Sequence, residues 1–511
     1  VHREILISAS PEESWVALLE DEQLVELMFD RPDQGRIVGD IFLGRVDAVL
    51  PGIQAAFVDI GTEKAGFLHA SDLERSDLDE DEDDDESEGR EGGGRSALPI
   101  QEALQKGQDV LVQVTKEPIG TKGPRLTAQI SLPGRFLVYL PQSRHVGVSR
   151  KIEDREERQR LKKLARSILP EENGGVIVRT VGEELSRKAF EHEYRRLRST
   201  WEKVQRRSAR ATPPAPLHRD AKLIGGVMRD LFSDKFDALT VDSREIYREI
   251  CGYLEGVDAE LMGRVRLYEE EEPLFDAFGI EEEIQKAFEA KVELPSGGHI
   301  VIEPTEALVS IDVNTGRFTG RGRKNAEETI LRTNLEAARE IARQLRLRDV
   351  GGIIVLDFID MEAQENRDRV LHELKSHLGR DRARTKAFEV SELGLVEMTR
   401  QRVRPSLHQS LTRRCEHCRG TARIYTPRTV IRRIERSLRR AGMGGEREVE
   451  IRVHPDVALE ILESEPHFLR RVGEKVGVEL DLRDDPLLRQ DAFQLRSGPS
   501  RVDVTEKYAR R

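Results

Sequence analysis

Apolar and polar positions alternate over residues 4–7 and again over 15–29, and this period-two pattern predicts an opening β element of short strands around a turn. From Gly39 to Leu73 four short apolar runs follow, each cut by Gly or Pro, as in a small barrel. Strand-like sequence resumes at "DVLVQVTKEPIGTKGPRLTAQISL", Asp109 to Leu132, so the barrel is expected to continue beyond the polar stretch between. From Glu153 to Arg210 the pattern is helical and basic, with a strand-like "GGVIVRTVGE" between two helices. "ATPPAPL", Ala211 to Leu217, is expected to be a proline-rich hinge. A mixed segment, 220–290, includes a helix over Ser243 to Tyr253.

The next periodicity changes twice. "EALVSIDV" predicts a strand; Asn325 and Glu328 have capping-box spacing; Leu331, Leu335, Ala338, Ala342 and Leu345 fall on one helical face; and "IIVLDF" predicts a second buried strand ending at Phe358. In such a β–α–β unit the strands are parallel and their C-terminal ends share one edge, the rim where open α/β sheets place ligands. Asp312 and Asp357 both lie at such ends. Two adjacent carboxylates repel, so a shared proton or a cation must hold them together near neutral pH, and oxygen ligands favour Mg²⁺ or Mn²⁺. Asn314 shares a strand face with Asp312 and is expected to orient it, and the loop after it offers Arg317, Arg321, Arg323 and Lys324 to phosphates. Asp360 is a weaker candidate for the same role, and Asn325 is assigned as a helix cap. The competing reading makes both aspartates ordinary strand-end acids.

With 511 residues, the chain is expected to form roughly two to four domains. Neither a secretory leader nor an apolar run long enough to span a bilayer is visible, so a soluble, cytoplasmic protein is expected. Between Asp72 and Arg95, thirteen acids face three bases, a local charge of −10 out of the total of −12. That run cannot build a core and is expected to interrupt the barrel as a loop. Elsewhere arginine clusters at 150–163, 195–207 and 400–433, the footprint of a polyanion partner, although solvated helix faces would look the same. Aromatics are only 5%, which disfavours a greasy small-molecule pocket.

Three cysteines exclude a disulfide framework. Cys415 and Cys418, in "CEHC", have half-zinc-site spacing with Gly420 placed for the turn, and a Zn²⁺ shared with a second copy of the chain would complete four ligands. A redox dithiol is the alternative. Cys251 is expected in a core, and His417 inside the knuckle is expected to point elsewhere.

Together "IDVNTGRF", "NLEAAREIARQLRLRDVGGIIVLDFIDM", "AAFVDIGTEKAGFLH" and "CEHC" resemble the ribonuclease E/G family over nearly the whole chain. The length resembles ribonuclease G or a minimal catalytic half of ribonuclease E. The resemblance implies an α+β multidomain fold: a ribonuclease-H-like scaffold split over 1–35 and 225–289, an OB-type RNA-binding barrel over 36–128 with the acidic insertion 74–97, and a 5′-sensor region over 129–224. It further implies a DNase-I-like catalytic subdomain over 290–411, a zinc link over 412–425 and a small α/β dimer- or tetramer-contact domain over 426–511. The implied activity is Mg²⁺-dependent endonucleolytic cleavage of single-stranded RNA in rRNA and tRNA processing and mRNA decay. It is stimulated by a 5′-monophosphate and leaves 5′-phosphate and 3′-hydroxyl ends.

Carried over by motif, Asp312 and Asp357 would bind the catalytic ion with Asn314 on Asp312, and Cys415 and Cys418 would be the zinc-link ligands. Gly134, Val138, Arg150, Arg179, Thr180 and Arg384 would bind the 5′-phosphate, and Phe57, Phe67 and Lys122 would line the RNA path. The alternative for Arg179 is a surface arginine, and for the phenylalanines barrel core. A homodimer or homotetramer and RNA-decay protein partners are also implied. Two features depart from the family pattern: the acidic insertion, and the absence of the proline common after the first cysteine. Two rival functions remain, a non-catalytic RNA-binding scaffold and a nuclease acting on DNA.

Overall fold

The computed structural model describes residues 1–31, 37–73, 99–118, 122–149, 152, 154–169, 174–183, 185–316, 323–391, 393–402 and 404–509, apart from the side chains of 323–325. Two compact units, Val1–Ser410 and Leu411–Arg511, divide the chain.

The first sheet joins distant stretches. Strands Arg3–Ala9, Ser14–Glu20 and Gln23–Asp30 form an antiparallel meander, and Ala238–Val241 and Val265–Leu267 add in parallel beside the first. Ile5, Ile7, Val16 and Leu18 pack with Val227, Met228, Ile250 and Leu254, so the chain between is an insertion into a sheet that is closed only after residue 238.

Within that insertion, Ile41–Leu50, Ala55–Asp59, Gly66–His69, Arg125–Thr127 and Asp109–Lys116 form a sheet closed by pairing of the first with the last. The strands flanking the acidic run belong to this one barrel, as expected, while the run itself lies outside the described residues. The proline-rich stretch corrects the hinge expectation: Ala215–His218 pairs antiparallel with Ile41–Leu50 as a sixth, edge strand. An edge tolerates Pro216 because its missing N–H faces no second neighbour.

A four-stranded sheet follows, ordered Val146–Val148, Gly175–Val178, Leu137–Leu140, Leu132–Pro133. Helices Arg155–Ile168 and Arg187–Ser208, capped by the side chains of Asp154 and Ser186, cover it with Leu161, Phe190, Leu197 and Trp201.

The last sheet of this unit runs Lys291–Glu293, His299–Pro304, Leu308–Asn314, Gly352–Asp357, Leu395–Arg400, Thr385–Ala387. Only its central pair, Leu308–Asn314 with Gly352–Asp357, is parallel, as the predicted β–α–β requires. Helices Arg323–Leu347 and Gln364–Leu378 bury Val309, Ile311, Val313, Ile354 and Leu356 from one side. The opposite face is open, with Ile353 54% exposed. The expectation of a buried strand over "IIVLDF" is therefore corrected: one face of Gly352–Asp357 is open, and the matched strand ends carry their polar side chains onto it. The long helix starts at Arg323, so Asn325 lies in its first turn and is not the cap; Arg323 and Lys324 are good helix formers and extend it backwards.

The second unit packs helix Pro427–Met443, capped by Thr426, with helices Pro455–Ser464 and Phe468–Val476 on a sheet ordered Glu479–Asp484, Glu448–Val453, Phe493–Ser497, Val502–Asp503. Val430, Ile434, Leu438, Val449 and Ile451 centre its core.

Candidate functional site

Alternation fixes the two aspartates. Ile311 and Leu356 point into the core, so their successors Asp312 and Asp357 point to the open face, and they are direct register partners on adjacent parallel strands. Burial, then the negative charges of Asp312 and Asp360, push the Asp357 carboxyl above its ordinary range. The Asn314 amide donates to Asp312 Oδ2 at 2.7 Å, which orients that carboxylate as expected. Two oxygen-donor acids in register, one already short of compensating charge, fit a hard divalent cation. Among the described residues no third His, Cys, Asp or Glu joins them in a metal-holding cluster. Arg317 and Arg321, and the side chains of Arg323 and Lys324, lie outside the described residues.

A residue that sequence reasoning missed holds this end of the sheet. Asn334, fully buried on the long helix, donates from Nδ2 to the Ile359 carbonyl at 2.8 Å and accepts the Ile359 N–H at 3.1 Å, two residues beyond Asp357. Its position within the Leu331–Ala338 apolar stripe was the available signal.

Gly134, Val138, Arg179 and Thr180 converge on the four-stranded sheet Val146–Val148, Gly175–Val178, Leu137–Leu140, Leu132–Pro133. Val138 pairs with Ile177, the Arg179 N–H donates to the Phe136 carbonyl, and Arg179 Nη1 donates to the Gly134 carbonyl at 2.6 Å. A Cβ at Gly134 would lie 2.7 Å from Glu193 Cδ, so only glycine fits that turn. Glu193, buried and unnoticed in the sequence, accepts the N–H groups of Arg135, Phe136 and Leu137 at 2.7–2.9 Å. Arg179 is no free fork: Nη1 also pairs with Asp230 at 2.6 Å, and Asp230 is held below the usual carboxylate range by Arg229 and Arg179 against the opposing effect of burial. Thr180 Oγ1 lies 2.9 Å from Ser149 Oγ. Arg384 is exposed on the six-stranded sheet that carries Asp312 and Asp357, beside strand Thr385–Ala387, while Arg150 lies outside the described residues.

In the barrel, Phe57 and Phe67 are cross-strand partners with ring centroids 6.0 Å apart, edge to face. Ala56, Val58 and Leu68 fill the core, and the two rings are half-buried outside it, which removes the core-filling alternative. Lys122 is exposed beside Gly123, which lies against the Ala65 carbonyl in the turn entering the Phe67 strand.

The family model described as the ribonuclease E/G family matches residues 131–403. Ribonuclease G of Escherichia coli (strain K12) is 40% identical over 493 residues, 96% of this chain and 99% of that protein. Ribonuclease G of Haemophilus influenzae is 39% identical over 494 residues, again 96% and 99%, and ribonuclease E of Synechocystis is 40% identical over 408 residues, 79% of this chain and 57% of that protein. The chain belongs to the ribonuclease E/G family. Its enzyme class is accordingly that of the endoribonucleases.

In this ribonuclease E/G family member, the CxxC forms a tight turn through Arg419 and Gly420, both with positive φ. The N–H groups of Gly420 and Ala422 hold the Cys418 thiol below its ordinary value, and Cys415 is exposed. Thiolate-directed amides are what a metal knuckle needs. The turn neither follows a strand nor opens a helix, unlike a thioredoxin-like dithiol. His417 is exposed within it, and Cys251 is partly buried against the first sheet's core. Among the described residues no helix is long and apolar enough to cross a membrane.

Proposed function

We propose that this enzyme is a Mg²⁺-dependent endoribonuclease that cuts single-stranded RNA, is stimulated by a 5′-monophosphate, and leaves 5′-phosphate and 3′-hydroxyl ends. The observation that carries this reading is the in-register pair Asp312 and Asp357 on an open sheet face, with Asn314 on the first. Asp312 and Asp357 hold the ion. A bound Mg²⁺ or Mn²⁺ supplies charge neutralisation at the scissile phosphodiester and a more acidic water. The Asn314 amide fixes which Asp312 oxygen faces the site, and Asn334 keeps the following loop in place. Phe57 and Phe67 stack bases of the incoming strand, and Lys122 meets its backbone.

The 5′-phosphate is received at Arg179 and Thr180, on the turn built by Gly134 and ordered by Glu193, with Val138 beside it. The Asp230 pairing prevents Arg179 from collapsing onto the surface but leaves less net positive charge for a dianion, so this recognition is read as modest in energy and precise in geometry. Arg384 and Arg150 complete the assignment from the resemblance. The first sheet is read as the split ribonuclease-H-like scaffold, the barrel as OB-type and the catalytic sheet as DNase-I-like. Cys415 and Cys418 with their counterparts on a second copy would bind one Zn²⁺, giving a homodimer, with tetramers formed through the small domain. Processing of rRNA and tRNA and decay of mRNA in a reducing cytoplasm suit free thiols and this substrate.

The test is Asp312→Asn, assayed on a fluorogenic single-stranded RNA with and without EDTA. Cleavage should vanish while RNA binding survives. Retained turnover, or equal turnover of an all-deoxynucleotide substrate, would refute the assignment.

A further inference from the structure

The helix Arg187–Ser208 changes character along its length. Every arginine from Arg187 to Arg198 is paired with a glutamate: Arg187 and Arg195 with Glu191, Arg196 with Glu193, Arg198 with Glu202. Beyond that point Lys203, Arg206 and Arg210 have no carboxylate partner among the described residues, and with Arg207 they line a groove of about 470 Å³ closed by Ala211, Pro216 and Leu217. No acidic residue lines it. Positions 203, 206 and 207 recur at i, i+3 and i+4 on one helix face, with Cβ atoms roughly 5–6 Å apart, and Arg210, just past the helix end at Ser208, carries the row on along the same groove. Arg207 is anchored by Nη1 to the Leu217 carbonyl at 2.9 Å, which ties the row to the strand Ala215–His218 that pairs with the barrel. Complementing the helix dipole would account for cations in a last turn. It does not account for a groove, for the row continuing to Arg210 beyond the helix, or for the absence of the glutamates that pair every arginine upstream.

We propose that this groove is a second RNA-binding site, in which Lys203, Arg206 and Arg210 hold consecutive phosphates of the single strand outside the catalytic and 5′-sensing residues. The inference rests on the reading of the substrate as single-stranded RNA. A row of cations at a step comparable with that between neighbouring phosphates of an extended strand grips the backbone without reading bases, and the barrel to which it is tied offers the stacking rings. Its consequence is a longer footprint: RNA long enough to reach the groove should bind more tightly than RNA that spans only the catalytic face.

The test uses the full chain and a 30-nucleotide 2′-O-methyl oligouridylate in EDTA, with fluorescence anisotropy across a salt series. Lys203→Ala/Arg206→Ala/Arg210→Ala, with an unchanged melting temperature, should bind on the order of tenfold more weakly in 0.1 M salt. The slope of log K against log salt should fall by about 2, three contacts at roughly 0.7 each. A folded triple variant with unaltered affinity and slope overturns the proposal. So does a variant that loses binding of polyglutamate but not of RNA, which would make the groove a site for an acidic protein segment. Wild-type chain that binds RNA through the groove yet cuts none would sink the proposed function and leave the groove standing; a chain that cuts RNA with the variant binding normally does the reverse.

Discussion

Asn334→Leu removes two hydrogen bonds while keeping the number of side-chain heavy atoms. The wild-type amide satisfies both the N–H and the C=O of Ile359 at a position where Asn334 itself is fully buried. Leucine leaves both backbone groups without that partner, and each buried unsatisfied group costs about 1–3 kcal/mol, so the expected loss is about 2–6 kcal/mol, above the typical effect of a point mutation. Because Ile359 is two residues past Asp357, the loop carrying Asp360 should open locally before the sheet melts. Hydrogen exchange should show lost protection at 357–361, and urea denaturation should show an earlier transition. Cleavage should fall about tenfold or more in kcat with little change in KM, since a displaced carboxylate affects the chemical step more than strand binding. If exchange at 357–361 and the urea midpoint match wild type, Asn334 is not a clamp and its place in the site is lost.

The folded protein holds the Asp357 proton more tightly than the unfolded chain does, so stability falls as pH rises from the ordinary aspartate value through the raised one. Asp312→Asn removes one of the repelling charges; at neutral pH it should melt higher than wild type while cleavage is abolished, and a lower melting temperature would contradict the repulsion. Added Mg²⁺ should raise the melting temperature of wild type and not of Asp312→Asn, as calorimetry in a metal titration can check. Phe57→Ala or Phe67→Ala should each weaken single-strand binding by about 1–3 kcal/mol and leave the fold intact, because neither ring is in the barrel core. Cys415→Ser should abolish zinc-dependent dimers in native mass spectrometry; one zinc per isolated wild-type chain would refute the shared link.

Where one face of an element is buried, the site was legible from the sequence. The β–α–β rule carried the pairing of Asp312 and Asp357, because it depends on chain-local periodicity, while the apolar run "IIVLDF" gave no sign of the open face onto which they point. The acidic run's place inside the barrel was legible for the same reason. What was hidden depends on contacts between remote segments. Arg179 and Asp230 are 51 residues apart, and no local pattern shows that Arg179 is already paired. Glu193 and Asn334 are polar residues on helices, where composition suggests solvent, yet each is buried because it completes backbone groups of a neighbouring turn. The strand Ala215–His218 looked like a hinge because proline punctuates loops, and its pairing exists only once the barrel strand Ile41–Leu50 has formed.

The arrangement also explains why the acids sit at the centre of the sheet and not on a mobile loop. Placing like charges in register is unfavourable, and a flexible segment would relieve the repulsion by moving apart. Here Ile311, Val313, Leu356 and Phe358 anchor the two strands into one core beneath the long helix, and that helix is tied in turn to the first sheet by Arg346 with Glu20 and Arg343 with the Leu24 carbonyl. Beside it, buried Glu26 is held ionised by Arg382, Arg404 and Arg346 against the opposing effect of burial, a cluster that joins strand Gln23–Asp30 to the outer end of the sheet that carries the two aspartates. Hydrophobic burial and these remote ion pairs hold the carboxylates where electrostatics alone would separate them. The uncompensated charge then remains on the open face, where the proposed cation and, through it, a phosphodiester would be received.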